Sequence, residues 1–195
     1  MKIIARIAVI AGVLLLVGCA HPISLAPNMS AFDGKQANKK ISKNVGYYIS
    51  QEDRDREVTT PGGGGDKVSY FPYRDLEAGL YKVLSNTFND ANVVKSLDDK
   101  NYLAEKKIAY VLVPKIETTS SSSGTFTWPP TDFTVSLECR ALSPAGAVVW
   151  RTTAKGVGKA TYDEFKSDFS LAARLASQQA LLELQKQISA SPLGR

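Results

Sequence analysis

From Phe133 to Leu142 apolar and polar residues alternate, with Phe133, Val135, Leu137, Cys139 and Ala141 on one side, and the alternation resumes from Ala147 to Gly156 after Ser143-Pro144-Ala145-Gly146. Neighbouring side chains of a strand point to opposite faces, so this pattern specifies a β-hairpin with one dry and one wet face. A dry sheet face has to be covered by another layer. Phe165 to Ile188 reads as a long helix that can supply the cover, capped near Ser167 and Asp168 and lined by Phe169, Ala172, Ala173, Ala176, Ala180, Leu184 and Ile188. Its alanines let it lie close to the sheet without loss of side-chain entropy. Gly156 and Gly158 are expected to let the chain bend out of the sheet.

The rest of the chain supplies a second helix and further strands. Arg74 to Ala91 carries Leu76, Leu80, Val83, Leu84 and Phe88 mostly at intervals of three and four, the stripe of a helix with one buried face. Asp75 and Glu77 in its first turn suit the positive end of the helix dipole. Val45 to Ser50 is β-branched and aromatic, and Tyr47 and Tyr48 must then face opposite ways. Asn92 to Leu97 reads as a short extended piece, and Ile108 to Ile116 as a strand buried on both faces. Val58 to Gly65 ends in Pro61 and four glycines and reads as a hairpin tip. The expected fold is α+β, a two-layer sandwich of a mixed, mainly antiparallel sheet with two helices on one face.

The search for chemistry returns little. With one histidine, His21, and two cysteines, no zinc spacing can be assembled, and no metal or other cofactor is expected. The glycine run is followed by Asp66-Lys67-Val68 rather than Gly-Lys-Ser/Thr, so it does not cradle phosphate. Ser120 to Ser123 lacks a Gly-x-Ser-x-Gly frame. Cys139 falls on the apolar side of its strand, where it serves as a small hydrophobe, and no base is near in sequence to activate it. The chain reads as non-enzymatic. Its formal charge of +5 is dispersed, with no basic block interleaved with aromatics, so nucleic acid is not an expected partner. The candidate binding element is the Ser/Thr/Gly loop from Thr118 to Asp132, with Phe126, Trp128, Pro129 and Pro130 at its tip. Rigid aromatics offer apolar area at low entropy cost, as partner-binding anchors do, although the two rings could equally fold back over the sheet edge as a lid.

The first residues explain where such a domain works. Met1-Lys2, an apolar run from Ile3 to Leu16 broken by Arg6, and the small residues that follow have the form of a secretory signal. The run is too short to cross a hydrocarbon core, which takes about 20 residues. Leu16-Val17-Gly18-Cys19 resembles the lipobox of bacterial lipoproteins, which implies cleavage between Gly18 and Cys19 and a diacylglycerol on the Cys19 sulfur. Ala20 and His21 follow instead of an aspartate, which by the sorting rules of that class implies the outer membrane, facing the periplasm. Cleavage also removes Lys2 and Arg6, lowering the formal charge from +5 to about +3. Residues 19–44, rich in Pro, Asn, Ser and Lys, are expected to be the lipidated cysteine and a tether that stands the domain off the membrane, although Ile23, Leu25, Met29 and Phe32 leave room for part of it to pack. Residues 45–190 then form the periplasmic domain and 191–195 a frayed tail.

With the lipobox, the buried strand Tyr110 to Ile116, the hairpin from Val135 to Trp150 and the Ala-rich closing helix, the chain resembles small outer-membrane lipoproteins with a compact α+β domain. These include accessory lipoproteins of lipopolysaccharide transport, exopolysaccharide export and lipid transport. The resemblance implies a non-enzymatic accessory or scaffold in envelope assembly or export, held to the membrane by acyl chains such as palmitate on Cys19. It further implies envelope protein partners or a homo-oligomer. The alternative is a module that binds a lipid or glycan in a cleft between sheet and helices.

Overall fold

A computed structural model describes residues 20–35, 39–122 and 129–195. Among the described residues the strands run in chain order as β1 (His21–Pro22), β2 (Ile41–Tyr47), β3 (Val58–Pro61), β4 (Lys67–Tyr70), β5 (Phe88–Val93), β6 (Ile108–Ser121), β7 (Asp132–Leu142) and β8 (Val148–Lys159). The helices are α1 (Gln51–Asp55), α2 (Pro72–Thr87), α3 (Lys100–Glu105), α4 (Tyr162–Phe165) and α5 (Leu171–Ser189). The main sheet has the order β5-β2-β6-β7-β8, and a smaller sheet has the order β1-β4-β3. In the main sheet β2 lies parallel to both β5 and β6, whereas β6, β7 and β8 form a long antiparallel meander. The fold is therefore α+β, with mixed sheets and the two longer helices, α2 and α5, packed on the main sheet.

The hairpin follows its alternation residue by residue. Phe133, Val135, Leu137, Cys139 and Ala141 are all buried, while Thr134, Ser136, Glu138 and Arg140 lie on the wetter side. On the dry side α5 sets Ala172, Ala173, Ala176 and Ala180 against the sheet, each at most 1 % exposed. Gly156 and Gly158 do not bend the chain out of the sheet. They lie within β8, and a Cβ on Gly158 would stand 1.9 Å from the Ala172 carbonyl oxygen, one on Gly156 2.0 Å from that of Ala176. The glycines are there because the helix backbone touches the strand.

Tyr47 joins the main core while Tyr48 packs against a smaller cluster of Val94, Leu103, Ile108 and Val111. Leu112 belongs to the main core and its neighbour Val111 to the smaller one, so the two clusters lie on opposite faces of the sheet. The smaller one forms where α3 carries the chain from β5 past β2 to β6.

Several boundaries differ from expectation for local reasons. The first long helix stops at Thr87, and Phe88, which fits its apolar stripe, instead opens β5 beside Ile41 of β2. Periodicity marks Phe88 as buried but is blind to the element that buries it, and the Asn89-Asp90 pair that follows favours leaving the helix. The closing helix is interrupted: Thr161 and Glu164 cap α4 reciprocally, and Asp168 accepts from the Ser170 amide at 3.0 Å and from Arg174 at 2.7 Å. These side-chain bonds offer the backbone an alternative to continuing the helix. Phe169 is left 49 % exposed rather than lining the core.

Both ends of the described domain are docked. Residues 20–35 do not form a tether: Ile23, Leu25 and Phe32 enter the main core, and Leu25 and Phe32 are fully buried. Burying each such side chain stabilises by about 1.5–3 kcal/mol, enough to hold an otherwise irregular segment in place. The tail from 191 is likewise held, because Leu193 is buried and Lys43 donates to the Arg195 carbonyl at 2.7 Å.

Ion pairs join α1 to α2, and the less exposed of them centres on Arg54 and Glu77. Arg54 donates from Nε and Nη2 to the two carboxylate oxygens of Glu77 at 2.9 and 2.8 Å and from Nη1 to the Ile49 carbonyl, while the Tyr47 hydroxyl donates to Glu77 at 3.0 Å. The hydrogen bonds from Arg54 first, and then that from Tyr47, hold the Glu77 carboxyl below its ordinary value of 4.5 against the opposing effect of burial. A depressed folded-state value contributes stability that is present above 4.5 and lost as pH falls through the folded value. Glu77→Gln is expected to lower the urea midpoint at neutral pH, with the gap to wild type closing as pH is taken down through and below 4.5. A gap that holds constant across that range would show that the carboxylate charge contributes nothing.

Candidate functional site

The candidate functional end of the molecule is built on the smaller sheet. β1 lies parallel to β4, with His21 opposite Val68 and Pro22 opposite Ser69, and Ile23 continues the pairing by donating to the Ser69 carbonyl at 3.0 Å. The next two amides are caught by side chains. Ser24 donates to the Ser170 hydroxyl at 3.0 Å, and Leu25 donates to Asp75 Oδ2 at 2.7 Å. Asp75 stands in the first turn of α2, where burial pushes its carboxyl above the ordinary range and the Leu25 amide and Ser24 hydroxyl partly offset that shift. The amides of Ile23, Ser24 and Leu25 therefore each find an acceptor, which a stretch without regular structure needs if it is to be buried.

β3 and β4 form an antiparallel hairpin whose turn is closed by Gly62 donating to the Asp66 carbonyl and Asp66 donating to that of Gly63. Gly64 and Gly65 have φ of 66° and 87°, a conformation that suits glycine and accounts for part of the glycine run. His21 Nε2 lies 3.6 Å from Asp66 Oδ2, which ties β1 to this turn. On the other side the Tyr70 hydroxyl lies 2.6 Å from Thr118 Oγ1 and donates to Thr60 at 3.2 Å, the Tyr70 ring meets Phe133 edge to face at 5.4 Å, and Ser120 Oγ lies 2.5 Å from the Pro61 carbonyl oxygen. The smaller sheet is thus fastened to the end of the meander where β6 finishes and β7 begins.

The residues singled out from sequence distribute unevenly over this end. Gly18 and Cys19, the cleavage and lipidation pair, and Phe126 and Trp128 lie outside the described residues. Ala20 leads directly into β1. Pro129 and Pro130 are buried at the approach to β7. The residues that position this end, His21, Ser24, Asp66, Asp75 and Ser170, were not marked by any motif. The available signal was the spacing of Ile23, Leu25 and Phe32, apolar residues in a stretch otherwise rich in turn formers.

Elsewhere the chemistry is muted. Cys139 is wholly buried, and burial pushes its thiol up to about 12, so thiolate is scarce near neutral pH. The wet face of the meander holds a depression of about 170 Å³ lined by Lys115, Glu117, Ser136, Glu138 and Thr153. Its charges pair internally, Lys115 with Glu117 at 2.7 Å and Arg151 with Glu138 at 3.6 Å. No group of three or more His, Cys, Asp or Glu that could hold a metal occurs among the described residues. Where α5 meets β8, the helix backbone fills the space that a ligand cleft between sheet and helix would need. Along the free edge of β8, Gln179 accepts from the Val157 amide at 2.7 Å, and Arg151, Lys155 and Lys159 are exposed. Covered amides and basic side chains are the usual means of keeping an edge strand from pairing with other chains.

No protein-family model matches the chain, and no curated protein does either. Solved structures give distant likenesses of fold. PelC of Paraburkholderia phytofirmans, solved as a dodecamer, is 15 % identical over 74 % of this chain and 92 % of its own, with a TM-score of 0.41. A Helicobacter pylori homolog of neuraminyllactose-binding hemagglutinin is 14 % identical over 87 % of this chain and 90 % of its own, with a TM-score of 0.45. A Caulobacter crescentus CB15 protein described as a lipoprotein is 14 % identical over 59 % of this chain and 78 % of its own, with a TM-score of 0.35. No helix among the described residues is long and apolar enough to cross a membrane.

Proposed function

We propose that this chain is a bacterial lipoprotein, held in the outer membrane by acyl chains on Cys19 and facing the periplasm, where it acts as a non-enzymatic accessory or scaffold in envelope assembly or export. The observation that carries this reading is Leu16-Val17-Gly18-Cys19, placed after a basic, apolar leader and immediately ahead of a folded domain whose first strand starts at His21. Two or three chains hold a protein stably where one holds only marginally, at about 0.8 kcal/mol per buried methylene. Phe126 and Trp128, which fall in the sequence between β6 and β7, are the partner-binding residues of the proposal.

Labelled palmitate is expected to enter the wild-type protein, which then floats with membranes, and not a Cys19→Ala variant. Equal labelling of the two removes the premise. For the scaffold role, mild crosslinking followed by native mass spectrometry in detergent is expected to capture a complex that Phe126→Ala/Trp128→Ala loses. A lone, empty monomer under those conditions speaks against the role.

A further inference from the structure

The docked segment 20–35 determines how an anchored domain sits. We infer that the end of the molecule formed by β1 and the β3–β4 turn, carrying His21, Asp66 and Lys67, lies directly against the lipid headgroups of the membrane that holds Cys19, with the β7–β8 turn directed away. The inference rests on the lipid anchor proposed above. It follows from chain length. A free tether of some 25 residues would let the domain wander about 25–30 Å from its anchor. Only Ala20 separates residue 19 from β1, and two peptide steps reach at most about 7 Å. The strand cannot readily peel away to lengthen that reach, because Ile23 and Leu25 are buried behind it and their amides are bonded to Ser69 and Asp75.

Strand polarity sets the direction. β1 runs parallel to β4 with His21 opposite Val68, so the chain preceding His21 heads toward Lys67 and the turn at Gly62–Asp66. That turn is built largely of glycine, which permits close approach to a flat surface, and His21 Nε2 lies 3.6 Å from its one carboxylate, Asp66. Thr60 and Pro61 of the hairpin abut Ser120 at the far end of β6. The β7–β8 turn lies at the opposite end of the meander, because Leu142 pairs with Val111 whereas Asp132 pairs with Ser121. The 11 residues of β7 separate the two ends by roughly 33 Å at about 3.3 Å per residue.

The buried Cys139 leaves the lipidated protein without a reactive thiol, so single probes can be placed at Lys67→Cys and Ala145→Cys, both exposed positions. The full lipidated protein is reconstituted in phosphatidylethanolamine–phosphatidylglycerol vesicles that carry a headgroup-attached nitroxide quencher. The fluorophore at residue 67 is expected to be quenched several-fold more than that at residue 145. A flexible Gly/Ser insertion of about 20 residues between Ala20 and His21 is expected to abolish the difference. Equal quenching, or stronger quenching at residue 145, in protein that mass spectrometry shows to be lipidated on Cys19 overturns the orientation alone. Protein found unlipidated overturns the anchor and the orientation with it.

Discussion

Gly158→Ala is expected to lower the thermal unfolding midpoint by roughly 4–10 °C, a large loss for the addition of one methyl group. The methyl would meet the Ala172 carbonyl oxygen at 1.9 Å and the Ala176 amide nitrogen at 2.6 Å, both backbone atoms of α5. A flexible side chain could swing aside, but the backbone of a helix already seated on β7 and β8 moves only as a body. Overpacking of a tight core costs typically 1–3 kcal/mol, and the obstacle here argues for about 3. An opposing gain exists, because alanine restricts the unfolded chain, but it is only about 0.4–1 kcal/mol. The overlap wins. Gly156→Ala, with the Ala176 carbonyl oxygen at 2.0 Å, is expected to behave alike. Gly194→Ala serves as the control, since its nearest neighbour is Ile41 Cγ1 at 3.5 Å, an ordinary contact, and its effect should fall within about 0.5 kcal/mol. If calorimetry finds the Gly158 variant as stable as that control, the close seating of α5 on β8 is wrong.

Leu25→Ala tests whether the N-terminal segment belongs to the domain. The side chain is wholly buried in the main core, and truncating such a leucine costs about 2–5 kcal/mol. The loss falls first on the segment itself, because residues 20–35 contribute only the two-residue β1 to a sheet and a four-residue 3-10 helix, Met29–Phe32. Hydrogen exchange is therefore expected to show the Ile23 and Leu25 amides losing protection by roughly 100-fold, the equivalent of about 3 kcal/mol, while the β7 amides keep most of theirs. Proteolysis near Lys35 should quicken in parallel. The variant would regain much of the loose tether that the wild type lacks, so it should also blur the difference between the probes at residues 67 and 145. Unchanged protection at Ile23 and Leu25 would mean that the segment is held by its hydrogen bonds to Ser69, Ser170 and Asp75 rather than by burial.

Much of the fold is legible in the sequence where the pattern is local and regular. The alternation from Phe133 to Leu142 appears in the structure as alternating burial, and Tyr47 and Tyr48 separate to opposite faces as adjacent strand residues must. Elements go astray where two local preferences compete. Phe88 satisfies a helix stripe and a strand equally, and its assignment to β5 is settled by pairing with β2. The break at Asp168 and Ser170 depends on side chains bonding the backbone, which a helical count of apolar residues ignores. Of the candidate site, Cys19 is the residue a sequence reading can propose, because the lipobox it resembles is a short linear motif. His21, Ser24, Asp66, Asp75 and Ser170 are not, since each matters only through a partner distant along the chain or across a turn.

The sequence by itself determined an α+β domain with an amphipathic hairpin and two helices, preceded by residues that resemble a leader and a lipobox, because periodicities of 2 and 3.6 and a four-residue motif are properties of neighbouring residues. Tertiary structure alone decided that residues 20–35 are part of the domain and not a tether, and that Gly156 and Gly158 are contact points and not bends. Both outcomes rest on surfaces that meet only after folding: Leu25 against a core assembled from later residues, and α5 against β8. Whether an irregular segment is ordered depends on the apolar area it finds to cover, and that area does not exist until the rest of the chain has built it.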